Sequence, residues 1–267
     1  MAAFDLEQYL AQGVRHILTG LTAAAGKNIK TAAFLARFAM AAQSAKHRRA
    51  QLAAAGEHIP PFLIASITEQ CNLHCRGCYA RAGGVCCDGG ADDVLTAAQW
   101  ADLFTQAAEL GVSFILLAGG EPLLRPDVLA AAAREKRIIF PVFTNGTLFS
   151  PDACALFLQN RNLMPVLSLE GDAAATDARR GSGVYHRLQD AMALLHKNGV
   201  LFGASITVTR ENLTAILAED FLRALHAAGC RAVIYVEYVP VTQESEPLAL
   251  TDADRATLEA RLTQLRA

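Results

Sequence analysis

Between residues 66 and 83 the chain reads SITEQCNLHCRGCYARAG, which places thiols at Cys71, Cys75 and Cys78. Three thiols at a four-then-three spacing are a ligand set for a soft metal. Thiolates are the usual ligands of iron–sulfur clusters, and three of them can hold three irons of a four-iron cluster while the fourth iron stays open to a small molecule. Zinc is the competing reading. A structural zinc site takes four protein ligands, so Cys86, Cys87 or His74 would have to complete it. Zinc ribbons pair two CxxC knuckles, and here a single knuckle, Cys75 to Cys78, is present in this loop. The spacing favours the cluster without excluding zinc.

The elements around this loop say how it must be held. From residue 59 onward, apolar runs of strand length alternate with helical segments: FLIASIT (62–68), SFILLAG (113–119), IIFPVFT (138–144), MPVLSLE (164–170), LFGASITVT (201–209) and AVIYVEYVPV (232–241). Helices are expected near 96–110, 126–136, 151–160, 184–198, 214–228 and 251–266. Strands that are apolar along their whole length and separated by helices imply a parallel sheet covered on both faces. Six βα units with no dinucleotide-type glycine fingerprint after the first strand point to an α/β fold, a partial (β/α)6 barrel of parallel strands. A doubly wound open sheet is the alternative. In a parallel barrel, chemistry gathers at the carboxyl ends of the strands. The cysteine loop follows the first strand, GGEP (119–122) the second, TNG (144–146) the third, and SLEG (168–171) closes the fourth. These signals share one rim.

Residues 1–58 are expected to form a helical N-terminal segment ahead of the barrel at 59–267. Phe4, Leu6, Tyr9, Leu10, Val14, Ile17, Leu18 and Leu21 recur at helical steps, and a second helix is expected from about Thr31 to Ala55. A helical pair packed on the barrel is favoured over a helix lying on lipid, because its polar face carries acids as well as bases. The chain has 267 residues, 52% of them hydrophobic, and a net charge of −2, so nucleic acid is not an expected partner. No stretch of about 18 uncharged apolar residues is present to span a membrane. The start, MAAFDLEQYL, carries acids where a secretory signal would carry bases. Seven cysteines without an export signal read as metal or redox chemistry in the cytoplasm rather than disulfides.

CxxxCxxC after the first strand and GGEP after the second resemble the radical S-adenosylmethionine (SAM) enzymes, over roughly residues 60–245. SLEG, GSGVYHRLQDAMALLHKNG and SITVTRENL are similar to the SPASM-associated, peptide-modifying branch. The resemblance implies a [4Fe–4S] cluster on Cys71, Cys75 and Cys78 whose open iron binds SAM. It also implies reductive cleavage to a 5′-deoxyadenosyl radical that takes hydrogen from a substrate, with a peptide or protein as the leaning. A low-potential donor such as flavodoxin or ferredoxin would supply the electron. Read through the same resemblance, Gly119, Gly120, Glu121 and Pro122 would approach SAM, with Glu121 facing its ammonium. Ser168 and Arg180 would hold its carboxylate, and Thr144 and Asn145 would shape the pocket.

Two positions depart from the family pattern. Gly77 stands where relatives often have an aromatic residue before the third cysteine, with Tyr79 after it. Glu170 stands where many have aspartate, so that it either faces substrate, as a weak catalytic candidate, or caps the strand. Cys154 and Cys230 are expected to be buried and inert, and adjacent Cys86 and Cys87 to be ordinary loop residues. Relatives in that branch continue into a cysteine-rich segment that holds auxiliary clusters. The expectation is therefore a truncated chain, or a minimal enzyme whose substrate or partner covers the sixth strand. The rival from another class is a zinc- or cluster-stabilised binding module without catalysis, which would have no need of a second anchoring loop such as GGEP.

Overall fold

The structure is a computed structural model that describes residues 29–89 and 94–266. Six strands, β1 (Phe62–Ser66), β2 (Phe114–Ala118), β3 (Phe140–Thr144), β4 (Leu163–Leu169), β5 (Gly203–Val208) and β6 (Val233–Glu237), form one sheet. Their order is β1-β2-β3-β4-β5-β6 and every pairing is parallel. Sequential order excludes the doubly wound alternative, whose strand order reverses at a switch point. The sheet curls into a half-barrel, with β1 and β6 as its free edges.

Register decides which side chains face which way. Ala65, Leu117 and Val142 stand side by side, as do Leu167, Ala204 and Val233. These rows belong to the outer core, where Leu117, Val142 and Leu167 are fully buried. Helices cover them, most of them through an apolar stripe turned toward the sheet. Helix α1 is Ile29–Ala54, α2 Ala97–Leu110, α3 Pro126–Arg134, α4 Pro151–Gln159, α5 Ala173–Arg180, α6 Val184–Lys197, α7 Glu219–Ala227 and α8 Asp252–Arg266. Phe104 of α2 meets Phe140 of β3 edge-on at 4.9 Å between ring centroids. The alternate register positions line the concave face: Ile64 beside Leu116, and Ser168 beside Ser205 beside Ile234. That face is open. Ile64 is 68% exposed and Val236 44%, whereas parallel sheets ordinarily bury both faces.

Most expected elements are present, with five of the six strands two to five residues shorter than their apolar runs and β4 equal in length to its run. Two differ more. The helix expected at 214–228 breaks at Ala218 into a single turn, Leu213–Ile216, followed by α7. Helix α5 was not foreseen, because AAATDARR has no apolar stripe. It forms because the Asp172 carboxylate accepts from the Ala175 N–H at 2.9 Å and caps its first turn. The first of the two N-terminal helices lies outside the described residues. The second is α1, which docks through Phe38 (1% exposed), set edge-on to Phe114 at 5.4 Å. Arg49 of the same helix donates to the Gly111 carbonyl. Among the described residues no helix is long and apolar enough to cross a membrane.

Removing the Phe38 ring should leave a cavity between α1 and the sheet. Phe38→Ala is expected to cost about 3–5 kcal/mol in urea unfolding. A loss under roughly 1 kcal/mol, the range of ordinary surface changes, would mean that α1 does not dock as described.

Candidate metal centre

The loop from Ile67 to Cys78 is fixed on several sides. The Cys71 N–H donates to the Cys87 carbonyl (3.0 Å) and the Cys87 N–H donates to the Glu69 carbonyl (2.9 Å). The Arg76 N–H donates to the Arg179 carbonyl at the end of α5 (2.7 Å). Asn72 accepts from Asn145 Nδ2 and donates to Thr147 Oγ1, both at 2.9 Å, which ties the loop to the one after β3. Arg81 reaches back to the carbonyls of Leu73 (2.9 Å) and Cys71 (3.1 Å). The three thiols are thus set at the carboxyl end of β1, where the fold concentrates chemistry.

Burial pushes the Cys71 thiol up to about 11, against a backbone hydrogen bond at Leu73 and with Cys86, Glu121 and Cys75 as neighbouring charges. Burial also raises Cys75, opposed by the cations of Arg180 and Arg179. These thiols hold their protons until a metal replaces them, so loading the site releases protons. Cys71, Cys75, Cys78 and Cys86 are close enough to influence one another electrostatically. Even so, among the described residues no three His, Cys, Asp or Glu side chains converge on a point for one ion. Three thiols set around one space are the donor set of an iron–sulfur cluster.

The GGEP segment packs directly on this loop. Gly120 and Glu121 donate their N–H groups to the Thr68 and Gln70 carbonyls, each at 2.8 Å. A Cβ on Gly119, whose φ is +124°, would stand 2.2 Å from the Thr68 oxygen, and one on Gly120 2.0 Å from that of Gln70. Both distances are impossible. The close approach these glycines permit here is therefore to the cysteine loop. Pro122 is buried and opens a 3₁₀ turn, Pro122–Leu124.

Glu121 is 1% exposed. Its carboxylate accepts from the Thr144 hydroxyl (2.6 Å), the Asn145 N–H (2.7 Å) and the Leu123 N–H (3.0 Å). Burial raises its pKa, and those three donors pull it back down. Thr144 and Asn145 are buried at the end of β3 and belong to the same network.

On the next part of the rim, Glu170 Oε1 accepts from Arg179 Nη1 (2.6 Å), Arg180 Nε (2.8 Å) and Arg180 Nη2 (2.7 Å). Glu170 is 2% exposed and its Oε2 is buried without a partner. Arg180 is thus an interior cation held by Glu170, and Glu170 clamps two arginines beside Cys75. Ser168 is half-buried on the concave face. Tyr238, just past β6, lies under the guanidinium of Arg179 at 5.9 Å, and its buried hydroxyl also lacks a partner. A Cβ on Gly77 would meet that hydroxyl at 2.3 Å. The small residue before the third cysteine is matched to Tyr238.

Three participants were not foreseen: Asn72, Arg179 and Tyr238. Asn72 could have been found from its place inside the cysteine motif. The other two come from distant or irregular segments with no local signal. Cys87, expected with Cys86 to be an ordinary loop residue, pairs with Gln70 in a parallel bridge. Cys154 and Cys230 are buried, as their helical surroundings implied.

A radical SAM superfamily model matches residues 65–218. The chain belongs to the radical SAM superfamily. Members of that family are enzymes that use a [4Fe–4S] cluster and SAM. The chain is 30% identical to a pre-heme d1 synthase of Dinoroseobacter shibae over 155 residues, 57% of this chain and 37% of that protein. It is 32% identical to a PqqA peptide cyclase of Streptomyces rochei over 158 residues, 58% of this chain and 42% of that one. These matches span well under half of each relative's length. Streptococcus suis SuiB, solved with S-adenosylmethionine, shares the fold at a TM-score of 0.68 and 20% identity, over 84% of this chain and 52% of SuiB.

Removing the Glu121 carboxylate leaves three donors without their acceptor in a buried site. Glu121→Ala should lower stability by about 3 kcal/mol or more, since each stranded donor costs roughly 1–3 kcal/mol. The loss should be seen in urea melts of the metal-free chain, without any SAM. If stability is unchanged while SAM affinity falls, the carboxylate acts on ligand alone.

Proposed function

We propose that this chain is a radical SAM enzyme in which Cys71, Cys75 and Cys78 hold the cluster and whose substrate is a peptide or protein. The observation that carries the reading is the anchored three-thiol loop, packed against GGEP at the carboxyl end of the half-barrel. A cluster held there by Cys71, Cys75 and Cys78 would supply the one-electron reduction by which this family cleaves SAM to methionine and a 5′-deoxyadenosyl radical. An external low-potential donor such as a flavodoxin or ferredoxin provides that electron.

The chain's own residues do the holding. Gly119 and Gly120 keep the second loop against the first, so backbone carbonyls at the rim are fixed in place. Glu121, Pro122, Thr144 and Asn145 form the rigid floor of the SAM pocket. Ser168 and Arg180 stand on the side where its carboxylate would lie. For Arg180 to serve, its guanidinium must keep one edge on Glu170 and offer the other, which the five-donor fork permits.

The peptide reading is supported by the likeness to a PqqA peptide cyclase and by the fold shared with SuiB, which has been solved with its precursor peptide SuiA. An open groove beside Cys75 and Cys78 fits an extended chain. Arg76, Arg81, Glu211, Tyr238 and Glu244 are among its walls, so both signs of charge are present.

Full-length protein reconstituted anaerobically should contain about four irons and four sulfides, the composition of a [4Fe–4S] cluster, and should release 5′-deoxyadenosine from SAM under a low-potential reductant. Changing all three cysteines to alanine should abolish both. Unchanged iron in the triple variant would overturn the site. Substrate class is read by adding candidate peptides and candidate tetrapyrroles in parallel. Deoxyadenosine formation stimulated by tetrapyrroles alone would overturn the peptide reading.

A further inference from the structure

Cys86 stands apart from the other cysteines beyond the motif. It lies 15 positions past Cys71 in sequence, yet the fold returns it to the same place. The segment is stitched down by the Val85 N–H to the Ala80 carbonyl (2.8 Å), by the two backbone bonds of Cys87 to Glu69 and Cys71, and by the Asp88 carboxylate, which accepts from Arg81 Nη2 (2.7 Å). Arg81 itself grips the Cys71 carbonyl. Cys86 is consequently held one residue from the backbone bridge that joins Cys87 to Gln70 and Cys71, and its thiol is electrostatically coupled to those of Cys71 and Cys78. Cys87 points elsewhere, with its thiol donating to the Gly89 carbonyl at 2.8 Å. The stitching brings a fourth thiol to the rim of a three-thiol site.

We propose that Cys86 is a fourth thiolate of this site, which holds the iron left open by Cys71, Cys75 and Cys78 until SAM displaces it. The inference rests on the cluster reading above. The exchange is a ligand substitution without electron transfer. One iron–sulfur bond to Cys86 breaks, and bonds to the amino nitrogen and a carboxylate oxygen of SAM form. The departing thiolate takes a proton, and the SAM ammonium gives one up. Cys86 thereby protects the labile corner of the cluster when SAM is absent, and it competes with SAM when SAM is present.

The test compares anaerobically reconstituted wild type, Cys86→Ala and Cys87→Ala, each as the full chain. Mössbauer spectra without SAM should show four equivalently sulfur-ligated irons in wild type and in Cys87→Ala. Cys86→Ala should show a three-plus-one pattern. Ferricyanide should convert Cys86→Ala to a three-iron cluster several-fold faster than wild type, read by electron paramagnetic resonance, and SAM should bind several-fold more tightly to that variant. Identical spectra, iron loss and SAM affinity for wild type and Cys86→Ala would overturn the proposal, as would equal effects from Cys87→Ala. Failure of wild type to take up a four-iron cluster would instead overturn the underlying cluster reading. Cys86→Ser, with a poorer ligand of similar size, should fall on the alanine side in all three measurements if the lost thiolate, and not local unfolding, is the cause.

Discussion

The rim is organised by one backbone contact: Gly119 and Gly120, leaving β2, lie directly on the Thr68 and Gln70 carbonyls that lead out of β1. Two N–H groups satisfy those carbonyls at 2.8 Å. The arrangement exists only because neither residue has a Cβ, which would fall about 2 Å from an oxygen. Gln70 immediately precedes Cys71, so any shift of the β2 loop moves the first thiol. The contact also carries Glu121 inward, and Glu121 in turn takes hold of the loop after β3. Three consecutive strand ends thus become one rigid unit before any metal is considered. Such pre-organisation matters because a site that must form around its metal gives up binding free energy to order itself.

Glu121 and Glu170 solve the same physical problem in two ways. A buried carboxylate is unfavourable unless its charge is met. Glu121 is met by three uncharged donors and holds loops together, with little charge left over for anything else. Glu170 is met by two cations crowded onto a single oxygen, while its second oxygen is left bare. That imbalance places an acceptor and two guanidinium edges beside Cys75 and the concave face, and Arg179 also reaches Thr207 of β5 at 3.3 Å. Polar atoms concentrated where a charged ligand belongs, with one of them unsatisfied, mark a place built to receive something. The Tyr238 hydroxyl, buried and also bare, lies in the same region.

The fold and the rim were legible in the sequence for a reason that is itself physical. Parallel strands buried on their outer face must be apolar, and they must be joined by helices. The six runs and their separators therefore announced the barrel, and the cysteine motif and GGEP announced the end that carries chemistry. The parts that were not legible depend on tertiary contact. Glu121 as a loop latch, Gly77 as a match for Tyr238, and Cys86 as a neighbour of Cys71 all join residues 15 to more than 150 positions apart or depend on loop curvature, and no local pattern encodes them. Helix α5 escaped notice because its stability comes from the Asp172 cap and from the arginines at its end that bind Glu170, with no apolar stripe to reveal it.

The half-barrel's openness follows from strand count and has a consequence for substrate. Six parallel strands cannot close on themselves at the curvature that eight require, so Ile64 on β1 and Val236 on β6 remain exposed across a wide mouth. An enzyme that generates a reactive radical must exclude water from it, and side chains on an open concave face cannot do so alone. A peptide laid across it would cover the apolar positions of β1 and β6, could pair its backbone with either free strand edge, and would deliver one side chain to the thiol-bearing rim while the rest of its length seals the mouth. That face and the two free strand edges are what a peptide, the substrate class proposed above, would cover.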